Sequence, residues 1–178
     1  VKISGNEELT FEDKWFPKEG RDWCPRLTAG IYAVSKALGV RKTVLPNNCC
    51  PSVVYGLLLA NVEPVFCEID ISNGGLDSES LSSLMEKHQI DMVIMVHLYG
   101  LYQNREMIHE ICKKHNSFLF EDGGLWFPPV THYSPLVNSC LGFSFGKKKV
   151  FDFGRGGLLL FQDQLLSNKV TKILKKLP

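Results

Sequence analysis

The chain has 178 residues, 44% of them hydrophobic, with 20 Lys and Arg against 19 Asp and Glu. That is enough apolar material for the core of a globular domain, and a net charge of +1 excludes a general basic field for nucleic acid or for an anionic membrane. No stretch approaches the roughly 20 apolar residues of a membrane span, and the opening VKISGNEELTFEDKWF has no apolar signal core.

Residues 1–22 read as an N-terminal arm and residues 23–178 as one domain. The domain begins with a β-type run, DWCPRLT, and a helix-type pattern, AGIYAVSKALGV. KTVLPNN is the second strand and PSVVYGLLLANV the second helix, with Pro51 suited to a first helical turn. EPVFCEID is the third strand, and DSESLSSLMEKHQ is a helix with Asp77 placed as its N-cap. DMVIMVHLYG, QNREMIHEICKKHN and SFLFEDGG continue as strand, helix and strand. CLGFSFG and GGLLLFQD follow, joined by a short Gly-containing connection, so the last strand is expected to run antiparallel. DQLLSNKVTKILKKLP closes as an amphipathic helix with Leu165, Val170, Ile173 and Leu174 on its apolar side and solvated lysines on the other.

Most of the strand runs are near-continuous in hydrophobicity, which marks strands buried on both faces. Strands alternating with helices imply right-handed crossovers. The expected fold is α/β, a three-layer sandwich with a mostly parallel sheet of about seven strands. The six cysteines, Cys24, Cys49, Cys50, Cys67, Cys112 and Cys140, lack the CxxC spacing of a zinc site, and several sit in apolar runs. They are expected to be free thiols in a cytoplasmic chain that binds no metal.

In open α/β sheets ligands bind beyond the carboxyl ends of the strands. Three such ends carry polar groups: FLFED delivers Glu121 and Asp122, MVIMVH delivers His97, and GFSFG is followed by Lys147, Lys148 and Lys149. Singly, each has a plain reading as a turn carboxylate, a packed histidine or a solvated lysine. Together they point to chemistry. Desolvation and positive neighbours lower a lysine's pKa, and the amine can then form a Schiff base with a carbonyl. A strand-end carboxylate suits the cofactor that uses such lysines, pyridoxal phosphate, whose ring nitrogen wants an anionic partner. RLTAGIYAV offers a small-residue helix start for its phosphate.

With those motifs in this order, the sequence resembles the pyridoxal-phosphate-dependent sugar aminotransferases of the DegT/DnrJ/EryC1/StrS type, with the fold-type-I architecture. The resemblance runs from about Trp23 to about Phe161. LTAGIYAVSKALGV resembles the family's helix start, LPNNCCPSVVYGLLLANVEPVFCEID its central block, and VHLYG its signature. The most specific matches are FLFEDGG, for the strand ending in Glu-Asp, and FSFGKKKVFDFGRGG, for the lysine segment. The resemblance implies that Lys149, five residues after Ser144, is the Schiff-base lysine. It implies that Asp122 pairs with the pyridinium nitrogen, that Ser144 contacts the phosphate, and that backbone N–H groups at Thr28, Ala29 and Gly30 hold the same phosphate. Lys147 and Lys148 fall in variable positions, as solvent or phosphate neighbours. His97 lies in a matched motif with no chemical role assigned. Gly154, Gly156 and Gly157 are expected to form a tight turn beneath the cofactor, and Phe143, Phe145, Phe151 and Phe153 to pack at the strand ends.

Three positions depart from the family pattern: Leu125 stands where many members have Gln or His, Cys50 where many have an aromatic that stacks on the cofactor ring, and Arg155 where the turn is often acidic. The family also continues past this chain's end into a C-terminal small domain, so the cofactor-binding large domain alone is expected here. The implied activity is transfer of an amino group from glutamate to a keto substrate, with a sugar as the model acceptor, in a homodimer with no nucleic acid or membrane partner. A second reading, a non-catalytic chain acting through cofactor binding or dimerisation, rests on Leu125, Cys50 and the length. A Rossmann or P-loop site has little behind it, since GRGG precedes a strand rather than opening a helix.

Overall fold

The computed structural model describes residue 16 and residues 20–101, 103–126 and 134–177. In chain order these form β1 (Arg21–Cys24), α1 (Leu27–Leu38), β2 (Lys42–Pro46), α2 (Pro51–Leu59), β3 (Glu63–Cys67), β4 (Ile69–Asp70), β5 (Gly75–Leu76), α3 (Ser78–Lys87), β6 (Met92–Val96), α4 (Arg105–Lys114), β7 (Phe118–Asp122), β8 (Ser139–Ser144), β9 (Gly157–Phe161) and α5 (Gln164–Leu174). Seven strands make one sheet in the order β1-β9-β8-β7-β6-β2-β3. The five from β8 to β3 run parallel, β9 is antiparallel to β8, and β1 is antiparallel to β9.

The near-continuous hydrophobicity of the strands follows from burial on both sides. Alternate residues of β6 and β7 feed two cores: Met92, Ile94, Val96, Phe118 and Phe120 pack beneath α1, α2 and α5, whereas Val93, Met95 and Leu119 pack beneath α3 and α4. Each such Leu, Ile, Val or Phe contributes about 1.5–3 kcal/mol by leaving water. A third cluster, with Phe16, Trp126, Leu141, Phe143, Phe145, Leu158 and Leu160, covers the sheet where β8 and β9 meet. The result is the expected three-layer sandwich.

Local chemistry sets the helix boundaries. Asp77 accepts a hydrogen bond from the Ser80 N–H at 2.8 Å and starts α3, as its position predicted. Gly39, at φ +67°, ends α1 with a left-handed cap. Asp163 caps α5 by accepting from the N–H groups of Leu165 and Leu166. That cap fixes the register of α5 and corrects one expectation: Leu166 and Val170 face the core, while Leu165 is 74% exposed. A second correction concerns EPVFCEID, which is not one strand. The chain leaves the sheet after Cys67, and Ile69–Asp70 pairs with Gly75–Leu76 in a separate hairpin. Its turn is built by Asp70, whose carboxylate accepts from the Ser72 N–H and hydroxyl and from Asn73.

This topology brings several chain segments to one end of the sheet. His97, Asp122 and Ser144 stand at the carboxyl ends of β6, β7 and β8. Gly157 pairs with Ser144 on one side and Cys24 on the other, so β9 starts between the carboxyl ends of β8 and β1. Three residues after Cys24, α1 begins.

Candidate active site

A cavity of about 470 Å³ opens at that end of the sheet, a size within the usual range for a small-molecule site. β7 contributes Asp122, and the turn after it contributes Gly124. β8 contributes Ser144, and the loop from β8 to β9 contributes Gly146, Lys147, Lys149 and Arg155. Leu27, Thr28 and Ile31 come from α1, and Cys50, Ser52 and Val53 from the start of α2.

Three of the residues singled out in the sequence converge over Gly124. A methyl group built on this glycine would sit 2.8 Å from Asp122 Oδ1, 3.6 Å from Lys149 Nζ and 3.7 Å from Ser144 Cβ. The missing side chain therefore leaves open the space that the carboxylate, the amine and the serine share. Asp122 is buried, and its Oδ1 accepts from the Gly124 N–H at 2.7 Å. Burial pushes its carboxyl above the ordinary aspartate value, against the Gly124 hydrogen bond and the positive charges of Lys149 and His97.

The lysine triplet resolves into three environments. Lys149 is half-buried in the cavity, while Lys147 and Lys148 are exposed, Lys147 lining the mouth. Backbone geometry separates them. Lys148 adopts φ +64° and its N–H donates to Asp152 Oδ2 at 3.1 Å, while the Lys149 N–H donates to the Gly146 carbonyl. The loop returns to the sheet through Gly154 at φ +78° and Gly156 at φ +109°, conformations that favour glycine. Of the four phenylalanines, Phe143 and Phe145 are buried, but Phe153 is 61% exposed, with its ring 5.3 Å from that of Phe145.

At the start of α1 the N–H groups of Ala29 and Gly30 donate to the Arg26 carbonyl at 3.0 and 3.2 Å. Thr28 lines the cavity, whereas Ala29 lines a neighbouring apolar pocket with Tyr32, Leu59 and Leu177. Gly30 is buried, and a Cβ there would meet the Leu159 side chain at 3.0 Å. Arg26 is the N-cap of this helix and makes no side-chain cap. Cys50 occupies the N-cap position of α2 without a side-chain cap, is exposed at the cavity, and accepts a hydrogen bond from the Ser52 hydroxyl at 3.1 Å. Leu125 packs against the core and is not among the cavity-lining side chains. All six cysteines are free thiols.

On the opposite face of β7 lies a network that the sequence did not reveal. Arg105, at the start of α4, donates from Nε to both oxygens of Glu121 at 3.1 and 3.0 Å, and from Nη2 to Glu121 Oε1 and to the Ser134 carbonyl. His97 Nε2 lies 3.5 Å from Glu121 Oε2, and the imidazole stacks on Trp126 with centroids 4.6 Å apart. A carboxylate predicted inside a strand demands a buried cation, which is the one signal that pointed to a partner. Its identity, 16 residues earlier on a helix, was not readable.

The model of the DegT/DnrJ/EryC1/StrS aminotransferase family matches residues 3–176. The chain is 24% identical to GDP-perosamine synthase of Escherichia coli O157:H7 over 179 residues, covering 95% of this chain and 48% of that one. It is 25% identical to L-glutamine:2-deoxy-scyllo-inosose aminotransferase of Streptomyces fradiae over 150 residues, covering 80% and 35%. The chain thus spans less than half the length of these curated relatives. Among solved structures, DesV of S. venezuelae superposes with a TM-score of 0.76 at 18% identity over 85% of this chain and 42% of that one. NtdA of Bacillus subtilis, solved with its bound cofactor PMP, gives a TM-score of 0.75 at 18% identity over 84% and 35%. Both likenesses bear on the fold, which is the one the strand and helix pattern predicted.

Proposed function

The chain belongs to the DegT/DnrJ/EryC1/StrS aminotransferase family, and from that premise we propose that it forms the cofactor site of an enzyme that moves an amino group from glutamate, or its amide, to a keto substrate of the sugar class. Members of the family depend on pyridoxal phosphate. The observation that carries the reading is the convergence of Lys149 Nζ, Asp122 Oδ1 and Ser144 over the space that Gly124 leaves open. The residues present suit the cofactor: an amine for its aldehyde, a buried carboxylate for its ring nitrogen, and a serine and an uncapped helix start for its phosphate. The names GDP-perosamine synthase and L-glutamine:2-deoxy-scyllo-inosose aminotransferase, carried by relatives, support a sugar-like acceptor and an amino-acid donor.

Pyridoxal phosphate, when bound, supplies an electron sink for the carbon next to the transferred nitrogen. Asp122 would hold a positive charge on the ring nitrogen, an interaction that its burial would strengthen by excluding water. Ser144 and the first N–H groups of α1 would hold the phosphate. Lys149 would hold the cofactor's aldehyde carbon through its amine, and its Nζ would be the group that moves the proton at the donor's α-carbon. Cys50, exposed at the cavity, would stand where many family members place a stacking aromatic. The exposed Tyr55, Leu58 and Leu59 of α2 support a homodimer with the site near its interface, and the six free thiols support a reducing, cytoplasmic location. No helix among the described residues is long and apolar enough to cross a membrane.

The test is spectroscopic. The protein loaded with pyridoxal phosphate is mixed with L-glutamate or L-glutamine, and the absorbance of the bound cofactor is followed to its amine form. Conversion in the wild type and none in Lys149→Ala is expected. Unimpaired conversion in Lys149→Ala refutes the lysine assignment, and a loaded wild type that answers neither donor favours the non-catalytic reading.

A further inference from the structure

Charge is distributed unevenly around the cavity. Four cationic side chains line it, Arg26, Lys147, Lys149 and Arg155, against the single carboxylate of Asp122. Among the described residues Arg26, Lys147 and Arg155 form no ion pair. The nearby carboxylates are committed elsewhere. Asp152 spends one oxygen on the N–H of Lys148 and the other on that of Gly154. Asp22 accepts from the hydroxyls of Ser167 and Thr171 on α5.

The backbone also ties together the two segments that carry the arginines. Gly156 N–H donates to the Pro25 carbonyl at 3.1 Å, so Arg155 and Arg26 are each the next residue to a bonded partner. Gly154 and Gly156, both at positive φ, pin the position of Arg155 between them. Arg26, Lys147 and Arg155 are exposed, so an arriving anion meets cations that no carboxylate neutralises. Arg155 also lines a second groove of about 480 Å³, otherwise made by Trp23, Phe145, Phe153 and the chain around Pro25. It is the one charged side chain that the two spaces share. The phosphate of the cofactor is provided for by Ser144 and the first N–H groups of α1.

We propose that Arg155, supported by Arg26 and Lys147, forms an oxyanion subsite at the junction of the cofactor cavity and the Trp23–Phe153 groove, where it holds a carboxylate or phosphate group of the substrate rather than of the cofactor. This rests on the assignment of the main cavity to the cofactor. It makes Arg155, which stands where the family's turn is often acidic, a determinant of specificity in this chain. A planar guanidinium binds either oxyanion through two parallel N–H bonds, and the aromatic groove beside it receives the body of the molecule that carries the charge.

The experiment measures anion affinity by calorimetry in the cofactor-loaded protein, with glutarate as the carboxylate probe and pyrophosphate as the phosphate probe. The Arg155→Gln variant is expected to weaken at least one of them about tenfold or more. Arg155→Lys recovers part of the loss, Arg155→Glu loses the most, and the absorbance of the bound cofactor stays unchanged in all three. Loss confined to glutarate identifies the donor's carboxylate as the occupant; loss confined to pyrophosphate identifies a phosphorylated acceptor. If neither affinity changes, or if Arg155→Gln releases the cofactor instead, the subsite is refuted. If the wild type takes up no cofactor, the cavity assignment fails by itself, and Arg155-dependent anion binding in the unloaded protein still decides for or against the subsite.

Discussion

Glu121 and Asp122 are consecutive, both buried, and aimed at opposite faces of β7. Glu121 is held by Arg105 through both of its oxygens and lies against His97. Asp122 accepts from one backbone N–H, that of Gly124, and among the described residues has no cation within ion-pair distance. The fold neutralises the first carboxylate itself. It leaves the second underpaired at the edge of a cavity.

Removing the amine that shares the cavity with Asp122 has the largest expected effect: Lys149→Ala slows the donor half-reaction by about 10²–10⁴-fold, read as the rate of change in cofactor absorbance. Next comes the stability of the paired carboxylate. Glu121→Ala strands Arg105 in the interior and destabilises the protein by about 3–5 kcal/mol, measured by denaturant unfolding. Asp122→Asn has the opposite sign in the unloaded protein. It removes an underpaired buried carboxyl, whose ionisation burial penalises, while retaining an oxygen to accept from Gly124, so the unloaded Tm rises, whereas cofactor affinity falls by about tenfold or more. A lower unloaded Tm in Asp122→Asn would erase the distinction between the two carboxylates.

The same contrast sets a pH dependence. Burial raises the pKa of Asp122 in the folded state above its unfolded value. Its penalty is therefore absent below the unfolded pKa and grows as pH rises through the folded one. Thermal melts of the unloaded protein across that window lose this component of the slope in Asp122→Asn and keep it in wild type. Gly124→Ala has the smallest effect. Its φ is not in the left-handed region, but its methyl group lies 2.8 Å from Asp122 Oδ1, and titration is expected to find cofactor affinity reduced by about tenfold with little change in unloaded stability.

Much of the architecture is legible in the sequence because buried parallel strands write themselves as apolar runs, and DMVIMV and SFLFED do so without interruption. Asp77 and Pro51 announce helix starts through local hydrogen bonding and a fixed φ. What escaped reading depends on register or on distance. Leu165 and Leu166 are equally apolar, and only the Asp163 cap decides which of them faces inward. The hairpin after Cys67 follows from side-chain bonds of Asp70 that compete with strand pairing. At the site, Asp122 was visible as a strand-end carboxylate and Lys149 in the run after a strand, Ser144 came with the family resemblance, and the fold brings the three together. The Arg105–Glu121 pair and the Gly156–Pro25 hydrogen bond join segments far apart in the chain, which no local pattern encodes.

The central claim is that one lysine of three is the reactive amine. Borohydride reduction of the cofactor-loaded protein, followed by peptide mapping by mass spectrometry, tests it most directly. The reduced pyridoxyl group is expected on Lys149 alone. A label on Lys147 or Lys148, or one spread across surface lysines at stoichiometric cofactor, would contradict the account.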